Sequence, residues 1–348
     1  MSRIYLDWNA TAPLRPEARA AMADALDVIG NPSSVHAEGR AAKMLLERAR
    51  EQLAEALGAA QSDIVFTSGA TEAAALALAG RGLACAGIEH DCVRVWCDET
   101  LQAGRDGQVA PPDPASATLQ LANSETGVIQ TLPPGLAISD LTQGFGKIPF
   151  AFDWLGIRAG MVSAHKLGGP RGIGALVLAA GEDREALLRG GGQESGRRAG
   201  TENLAAIAGF AAAAAAAQRD LAGGMVERLA EMRDHLMDRL EIAEGITMFP
   251  GRDSPRLPQT LSILTPGWKG ETQVMQMDLA GFAVSAGSAC SSGKVRESGV
   301  LRAMGVAGQD AGCALRVSFG GTTTREDLDR FADAWLSARA RWQGKQGR

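Results

Sequence analysis

The most constraining feature of the sequence is a single lysine, Lys166, placed between two apolar runs. Residues 161–164 form the first run, a glycine-rich turn follows the lysine, and residues 174–179 form the second run. The pattern predicts strand, loop and strand, with the lysine at the mouth of a buried sheet. A partly desolvated lysine loses its charge more readily and becomes a nucleophile for carbonyl groups. The alternative is a lysine that simply extends its amine past the strand into water.

Length and composition exclude several classes of protein. With 348 residues, the chain is expected to form one large and one smaller domain. A net charge of −5 gives no basic surface for nucleic acid. The five cysteines contain no CxxC pair, which disfavours a disulfide framework and fits a reducing compartment. Residues 204–217, the longest apolar run, fall short of the ~20 residues that span a bilayer. We therefore expect a cytoplasmic protein with no membrane or nucleic-acid partner.

Apolar periodicity and turn residues predict alternating strands and helices over most of the chain. Helices are predicted at residues 16–26, 37–57 (with Gly58 as C-cap) and 204–240, and strands at residues 63–67, 119–122 and in a segment ending at 88–90. After residue 245 the pattern changes to short elements, with strands at 260–264 and 283–285 and a helix at 271–279. This change indicates a smaller C-terminal domain.

One predicted junction has the properties of a phosphate site. The strand at 63–67 enters a turn at residues 68–72 that opens a helix. Such a turn combines unpaired backbone N–H groups with the positive end of a helix dipole, which suits a phosphate group. Thr71 can add a hydroxyl. The alternative is an ordinary helix capped by serine or threonine, without a ligand.

The lysine segment resembles that of a known enzyme family. Residues 163–166, followed by the Gly-Pro-x-Gly-x-Gly turn at 169–174, look like the cofactor-lysine segment of the cysteine desulfurases. These enzymes belong to the class V aminotransferase group of fold-type I pyridoxal-phosphate (PLP) enzymes. The resemblance extends from residues 5–7 and 30–34 to residues 316–320, so it covers most of the chain.

The resemblance implies an α/β fold and a domain organisation. The large PLP-binding domain, residues 16–244, is expected to contain a mainly parallel sheet flanked by helices. The smaller α+β domain is expected at residues 245–348, and residues 1–15 are expected to associate with it. The loop at residues 190–203 is expected to cross the interface of a homodimer.

The resemblance also assigns the cofactor site. Lys166 would carry PLP covalently, His90 would stack on the pyridine ring and act in acid–base chemistry, and Asp140 would keep the ring nitrogen protonated so that the ring accepts electrons. Gln143 would form a hydrogen bond with the ring hydroxyl. The remaining cofactor residues implied by the family are Gly69, Ala70 and Thr71 at the phosphate, Ser124 at the ring, Ser163 and His165 beside the lysine, and Thr201 from the neighbouring subunit.

Substrate binding and sulfur transfer are assigned in the same way. Asn31, Ser124 and Arg316 would contact the substrate, since an arginine fork binds a carboxylate in bidentate fashion; the alternative for Arg316 is an ordinary ion pair. Cys290 lies among Ser, Gly and Ala residues, a composition typical of an exposed loop, and exposure is the first requirement of a nucleophilic thiol. A chance loop cysteine is the alternative. The family places its sulfur-accepting cysteine here.

The chain departs from the family pattern at four places. Ala75 and Ser124 stand where asparagines are usual, and a serine hydroxyl reaches less far than a carboxamide. The segments 105–118 and 130–139 are rich in Gly and Pro, so neither has room for a full crossover helix. We therefore expect a loosened cofactor site. We also expect the uncovered side of the large domain to be covered by a partner protein or repaired with polar residues.

The sequence as a whole predicts a homodimeric, PLP-dependent cysteine desulfurase without a metal site. It would convert L-cysteine to L-alanine, leaving a persulfide on Cys290 for a protein sulfur acceptor, with an iron–sulfur cluster scaffold as the expected one. The alternatives are another class V enzyme, such as a selenocysteine lyase, a lyase or a transaminase, or a weakly active homologue acting as a binding partner. The full set of candidate catalytic and binding residues is present, which argues against the last of these. The set comprises His90, Asp140, Gln143, Lys166, Cys290 and Arg316.

Overall fold

The computed structural model describes residues 3–241, 247–287 and 297–346. The elements in chain order are β1 (Ile4–Tyr5), α1 (Pro16–Leu26), α2 (Ala37–Leu57), β2 (Asp63–Thr67), α3 (Ala70–Leu78), β3 (Ala84–Ala86), α4 (Asp91–Arg94), β4 (Asp98–Leu101), β5 (Ser139–Asp140), α5 (Phe152–Leu155), β6 (Ala159–Ser163), β7 (Gly174–Leu178), α6 (Leu204–Ala222), α7 (Met225–Glu241), β8 (Thr260–Leu264), α8 (Gly270–Leu279), β9 (Phe282–Ala283), β10 (Ser285–Ala286), α9 (Gly299–Ala303), α10 (Gly308–Ala311), β11 (Ala314–Ser318) and α11 (Arg325–Gln346). Within these ranges no helix is long and apolar enough to cross a membrane.

The central sheet has the order β2-β7-β6-β5. Isolated parallel bridges, Thr118 to Ile138 and Ala84 to Ala117, continue it towards the parallel pair of β3 and β4. Strands β5 and β6 are parallel, whereas β7 is antiparallel to both β6 and β2. The prediction of a mainly parallel α/β sheet is confirmed. Because β6 and β7 are buried along their whole length, both read as continuous apolar runs in the sequence.

Helices cover both faces of this sheet. On one face the alanine-rich helix α6 packs against α1 and α2, and a methyl group added at Gly209 would lie 2.6 Å from Met22. The close helix packing explains the run of seven alanines, 211–217, since only small side chains allow such an approach. On the other face α3 packs on β6 and β7.

The C-terminal part of the chain builds a second core. Strands β10, β11 and β8 form an antiparallel sheet, and α7, α8 and α11 contribute apolar side chains to the core beside it. The N-terminal strand β1 pairs with β9, and Asp7 bridges to Ser318, so the first residues lie with this part of the chain. The predicted boundary at residue 244 falls on residues outside the described ranges and stays a prediction.

Several local predictions differ from the structure. The strand expected to end at 88–90 ends at Ala86, and residues 119–122 pair with their neighbours only through bridges and single hydrogen bonds. The helix expected at 204–240 is divided into α6 and α7, because Gly224 adopts a φ of +80° that breaks the helix.

The two shortened connections are confirmed. Residues 130–139 contain no helix, and residues 105–118 contain only a 3-10 turn at Pro114–Ser116. Two adjacent prolines, Pro133 and Pro134, together with Gly135 at a φ of +81°, turn the chain too sharply for a helix to start.

Candidate active site

Lys166 lies at the carboxyl end of β6, where a 3-10 turn, Ala164–Lys166, leads the chain out of the sheet. Its Nζ donates to the backbone oxygens of Asn9 at 2.7 Å and Ala10 at 3.0 Å. The next turn needs glycine, because Gly168 has a φ of +90° and an added methyl would lie 2.6 Å from Arg15. The N-terminal segment therefore crosses directly over the lysine.

A cavity of about 690 Å³ opens in front of Lys166. It is lined by residues from the large and the C-terminal parts of the chain. Of the predicted site residues, it brings together Gly69, Ala70, Thr71, His90, Ser124, Asp140, Gln143, Ser163, His165, Lys166 and Arg316.

One wall of the cavity is the start of α3. The backbone of Gly69 packs so closely on Gly174 of β7 that a methyl group on Gly174 would lie 2.7 Å from it. Glu72 accepts from the N–H of Ser68 at 2.7 Å and from Nε of Arg198 at 2.9 Å. Since the acidic group of the first turn is held by these donors, the N–H groups of the turn remain as an anion site at the helix terminus.

A second wall carries two acidic side chains. Asp140, at the end of β5, is 8% exposed and accepts from the N–H of Thr142 at 2.9 Å. Glu89 is 3% exposed; its Oε1 accepts from the N–H of Gln120 at 2.7 Å, and its Oε2 has no hydrogen-bond partner. Burial, reinforced by the negative charge of Asp140, raises the pKa of Glu89 to about 8. Glu89 is therefore protonated at neutral pH.

Two histidines flank the lysine. His90 caps α4, and its Nδ1 accepts from the N–H of Cys92 at 3.1 Å, with the thiol sulfur of Cys92 at 3.0 Å. An accepting Nδ1 leaves the ring proton on Nε2. Burial together with the positive charges of Lys166 and Lys147 lowers the pKa of His165 to about 4, so its ring is neutral.

Another part of the cavity wall carries a buried arginine. Arg316 is 6% exposed; it donates to Oδ1 of Asp7 at 2.7 Å and to the backbone oxygen of Ser124 at 3.1 Å. Ser285 fixes the other carboxylate oxygen of Asp7 at 2.7 Å. The Nε of Arg316 is buried without a hydrogen-bond partner. A guanidinium held in place with one donor unused suits an incoming anion.

Glu125 is a third buried acid beside this arginine. It accepts a hydrogen bond from the hydroxyl of Ser298 at 2.5 Å. Burial raises the pKa of Glu125 to about 7, although the Ser298 hydrogen bond and the charge of Arg316 act in the opposite direction. Ser298 is also the N-cap of α9, so Glu125 joins the start of that helix to the cavity wall.

Three predicted site residues do not lie in this cavity. Asn31 is exposed, and its side chain accepts from the N–H of Ser33 at 2.9 Å in the turn before α2. Thr201 lines a smaller cavity of about 170 Å³, which shares Ser68 and Gly172 with the large one. Cys290 lies outside the described residues. Their assigned roles stay predictions.

The structure adds residues that the sequence did not single out, namely Asp7, Asn9, Glu89, Glu125 and Lys147. Four of these five are polar residues beside motifs that were noticed: Asp7 and Asn9 at the N-terminal strand, Glu89 before His90, and Glu125 after Ser124. Polar residues at strand ends were the available signal. Lys147 stands in a loop, where lysine is ordinarily exposed, so its burial could not be anticipated.

Comparison with known families gives an independent assignment. Residues 4–96 and 109–331 match the family described as Aminotransferase class-V. The unmatched residues between these two stretches adjoin the shortened connection at 105–118.

Curated relatives carry a consistent description. A protein from Dictyoglomus turgidum, described as cysteine desulfurase IscS, is 36% identical over 95% of this chain and 93% of its own length. A protein from Mycobacterium tuberculosis, described as an IscS-like cysteine desulfurase, is 34% identical over 97% of this chain and 96% of its own length.

Solved structures agree with the sequence relatives. A NifS-like protein from Rickettsia africae superposes with a TM-score of 0.86 at 30% identity, covering 96% of this chain and 99% of its own. A structure described as SspA in complex with cysteine has a TM-score of 0.74 at 25% identity, covering 92% of this chain and 100% of its own.

The raised pKa of Glu89 predicts a specific dependence of stability on pH. Its pKa is raised in the folded protein, so its contribution is present below its ordinary pKa of 4.5 and is lost as the pH rises through about 8. Glu89→Gln removes this dependence. In cofactor-free protein, the difference in melting temperature between the variant and the wild type should increase in favour of the variant from about pH 5 to about pH 9.

Glu55→Gln, at an exposed position on α2, is the control and should follow the wild type at every pH. A constant difference between Glu89→Gln and the wild type over the whole range would show that Glu89 is ionised in the folded protein.

Proposed function

This chain belongs to the aminotransferase class-V family, and from that premise we propose that it works as a PLP-dependent cysteine desulfurase acting on L-cysteine. The observation that carries the proposal is the cavity itself. Lys166, an anion-binding helix terminus at Gly69–Thr71 and a carboxylate-binding arginine, Arg316, face one space of about 690 Å³. A phosphorylated aldehyde and an amino acid need those three groups together.

The residues present fit PLP. The turn at Gly69, Ala70 and Thr71 would hold the phosphate with backbone N–H groups, and Asp140 would hold the ring nitrogen. On the same wall, one carboxyl oxygen of Glu89 is buried without a hydrogen-bond partner among the described residues. When bound, PLP supplies an electron sink for the electron pair released at the substrate Cα.

Lys166 would act at two stages. It would hold the cofactor covalently, and, once the substrate amine has taken its place, its amine would remove the proton from the substrate Cα. The backbone oxygens of Asn9 and Ala10 accept hydrogen bonds from its Nζ, so they would hold the resulting ammonium close to the reacting atom.

Arg316 would orient the substrate. It lines the cavity, and Asp7 and the Ser124 backbone oxygen fix its guanidinium. Ser124 would act on the substrate indirectly, because its backbone oxygen holds the Arg316 guanidinium. His90, with its proton on Nε2, would serve as a proton donor or acceptor at the face of the cofactor ring.

Cys290 would take the sulfur. Its thiolate would attack the substrate Sγ, and the bond between Sγ and Cβ would break. The electron pair of the broken bond would remain on the carbon skeleton of the substrate until Cβ takes up a proton. The products are L-alanine and a persulfide on Cys290. The persulfide sulfur would pass to a protein acceptor, for which we propose an iron–sulfur cluster scaffold in the cytoplasm.

We propose further that two copies of the chain complete the site. Asn31 and Thr201 lie outside the cavity of their own chain, and Thr201 belongs to an exposed loop that the Arg198–Glu72 ion pair at 2.9 Å anchors next to α3. A second subunit could bring the equivalent residues to this cavity.

The test of the function is the fate of Lys166. The purified protein should be yellow and, with a thiol reductant present to release the persulfide sulfur, should convert L-cysteine to alanine and sulfide. Borohydride should fix PLP irreversibly on Lys166, as peptide mapping would show. Lys166→Ala should lose this link and lower turnover by about 10³-fold or more. A borohydride-stable link in Lys166→Ala, for which the buried Lys147 is the nearest candidate, would disprove the assignment.

Cys290→Ser should leave PLP binding intact and abolish both persulfide formation and sulfide release. Cys92→Ser is the matched comparison, because the Cys92 thiol lines the cavity beside His90. If sulfide release continued in Cys290→Ser and stopped in Cys92→Ser, then Cys92 would be the nucleophile.

The protein should be a dimer whose mass, measured by light scattering, does not change on dilution. Thr201→Ala should weaken PLP binding while the protein remains a dimer. A monomer with full PLP occupancy would contradict the shared site.

A further inference from the structure

A buried lysine that the mechanism above does not use lies behind the cofactor side of the cavity. Lys147 is 8% exposed, and in the described part of the chain it is the only lysine classed as buried. Its Nζ donates a hydrogen bond to Oε1 of Gln143. Gln143 lines the cavity, whereas Lys147 does not, so the glutamine stands between the lysine and the ligand space.

This hydrogen bond decides which way the amide of Gln143 faces. A glutamine amide presents an acceptor oxygen on one side and a donor NH₂ on the other, and the two ends have nearly the same shape. Lys147 donates to the amide oxygen from one side, and on the other side the backbone oxygen of Asn9 can only accept. The NH₂ group is thereby turned the other way, where it donates to the backbone oxygen of Asn9 at 3.0 Å.

We propose that Lys147 is a positioning residue that, together with the backbone oxygen of Asn9, fixes the amide of Gln143 with its NH₂ group on the Asn9 side and its oxygen on the Lys147 side. The inference rests on the proposed function, in which the anionic ring oxygen of PLP accepts from Gln143. With the amide reversed, Gln143 would present its own oxygen to that ring oxygen and repel it. Reversing the amide would place its oxygen against the Asn9 oxygen and break the hydrogen bond from Lys147, so the two contacts disfavour the reversed state before the cofactor binds.

The environment of Lys147 allows a role in positioning Gln143 to be distinguished from a role in stabilising the fold. Burial, together with the positive charges of Lys166 and Arg316, lowers the pKa of Lys147 well below its usual range. A buried amine among cations is unfavourable for the cofactor-free fold, and an apolar side chain of similar length would be easier to bury. Removing the amine should therefore affect fold stability and cofactor affinity in opposite directions.

The experiment is a double-mutant cycle with Lys147→Met, Gln143→Ala and the combined variant. The affinity for PLP is measured by absorbance titration of cofactor-free protein, and the melting temperature is measured without PLP. Lys147→Met should melt at the same or a higher temperature than the wild type. It should bind PLP about 3–10-fold more weakly, the effect of one hydrogen bond, and shift the visible absorption band. Lys43→Met, at an exposed position on α2, is the control and should change neither.

The cycle tests whether Lys147 acts through Gln143. If it does, the combined variant binds PLP no more weakly than Gln143→Ala alone. Unchanged PLP affinity and spectrum in Lys147→Met would overturn the inference, and so would losses that multiply in the combined variant. Should Lys147→Met fail to fold, Lys147→Gln takes its place, because an amide can both donate and accept and so leaves Gln143 unfixed. Wild-type protein that binds no PLP would instead refute the proposed function.

Discussion

The site depends on one residue of the N-terminal segment, Asn9, which is 1% exposed. Its polar atoms meet partners from both halves of the chain: Lys166 and Gln143 donate to its backbone oxygen, its amide donates to Ser124 and Thr260, and its backbone N–H donates to Ser318. A buried residue with so many partners cannot be replaced without leaving several polar groups unsatisfied. The cavity between the two cores is therefore held in shape by hydrogen bonds that converge on a loop, while the sheets supply the rigid frame.

The raised pKa values of two buried acids make the cavity less negative than its carboxyl groups alone would suggest. Glu89 and Glu125 are buried acids with pKa values raised to about 8 and about 7, so Glu89 carries no charge at neutral pH and Glu125 is only partly ionised. Arg316 keeps its positive charge, and Lys166 lies beside it on the cavity wall. Removing negative charge from a low-dielectric space strengthens its attraction for a phosphate and a carboxylate. The same acids remain as hydrogen-bonding groups, so the wall is polar without opposing the ligand.

The parts of the fold and of the site that could be predicted from the sequence are those that a local sequence pattern specifies. Helices α1 and α2 and strand β2 have the predicted bounds, because apolar periodicity and the left-handed Gly58 cap specify them locally. Lys166 could be found because it interrupts two apolar runs, whereas the roles of Asp140 and Arg316 were implied by the family resemblance. By contrast, Asp7 and Lys147 matter through contacts with residues far away in the sequence or buried in a loop, and no local pattern encodes those contacts. The order of strands in the sheet could likewise come only from family resemblance.

The shortened connections show why the site survives where the fold is trimmed. A crossover without a helix leaves backbone groups that a helix would have paired. Here the buried side chain of Gln130 pairs two of them, donating to the backbone oxygen of Gly107 at 2.6 Å and accepting from the N–H of Val109 at 3.0 Å. Gln108 reaches back to the oxygen of Ile129 at 2.9 Å, so each trimmed segment satisfies the other. These contacts lie away from the residues that line the cavity. Strand β5 therefore still places Asp140 in the cavity wall. The chain can lose these helices and keep the site, because the ends of the strands, and not the crossover connections, position the side chains that line the cavity.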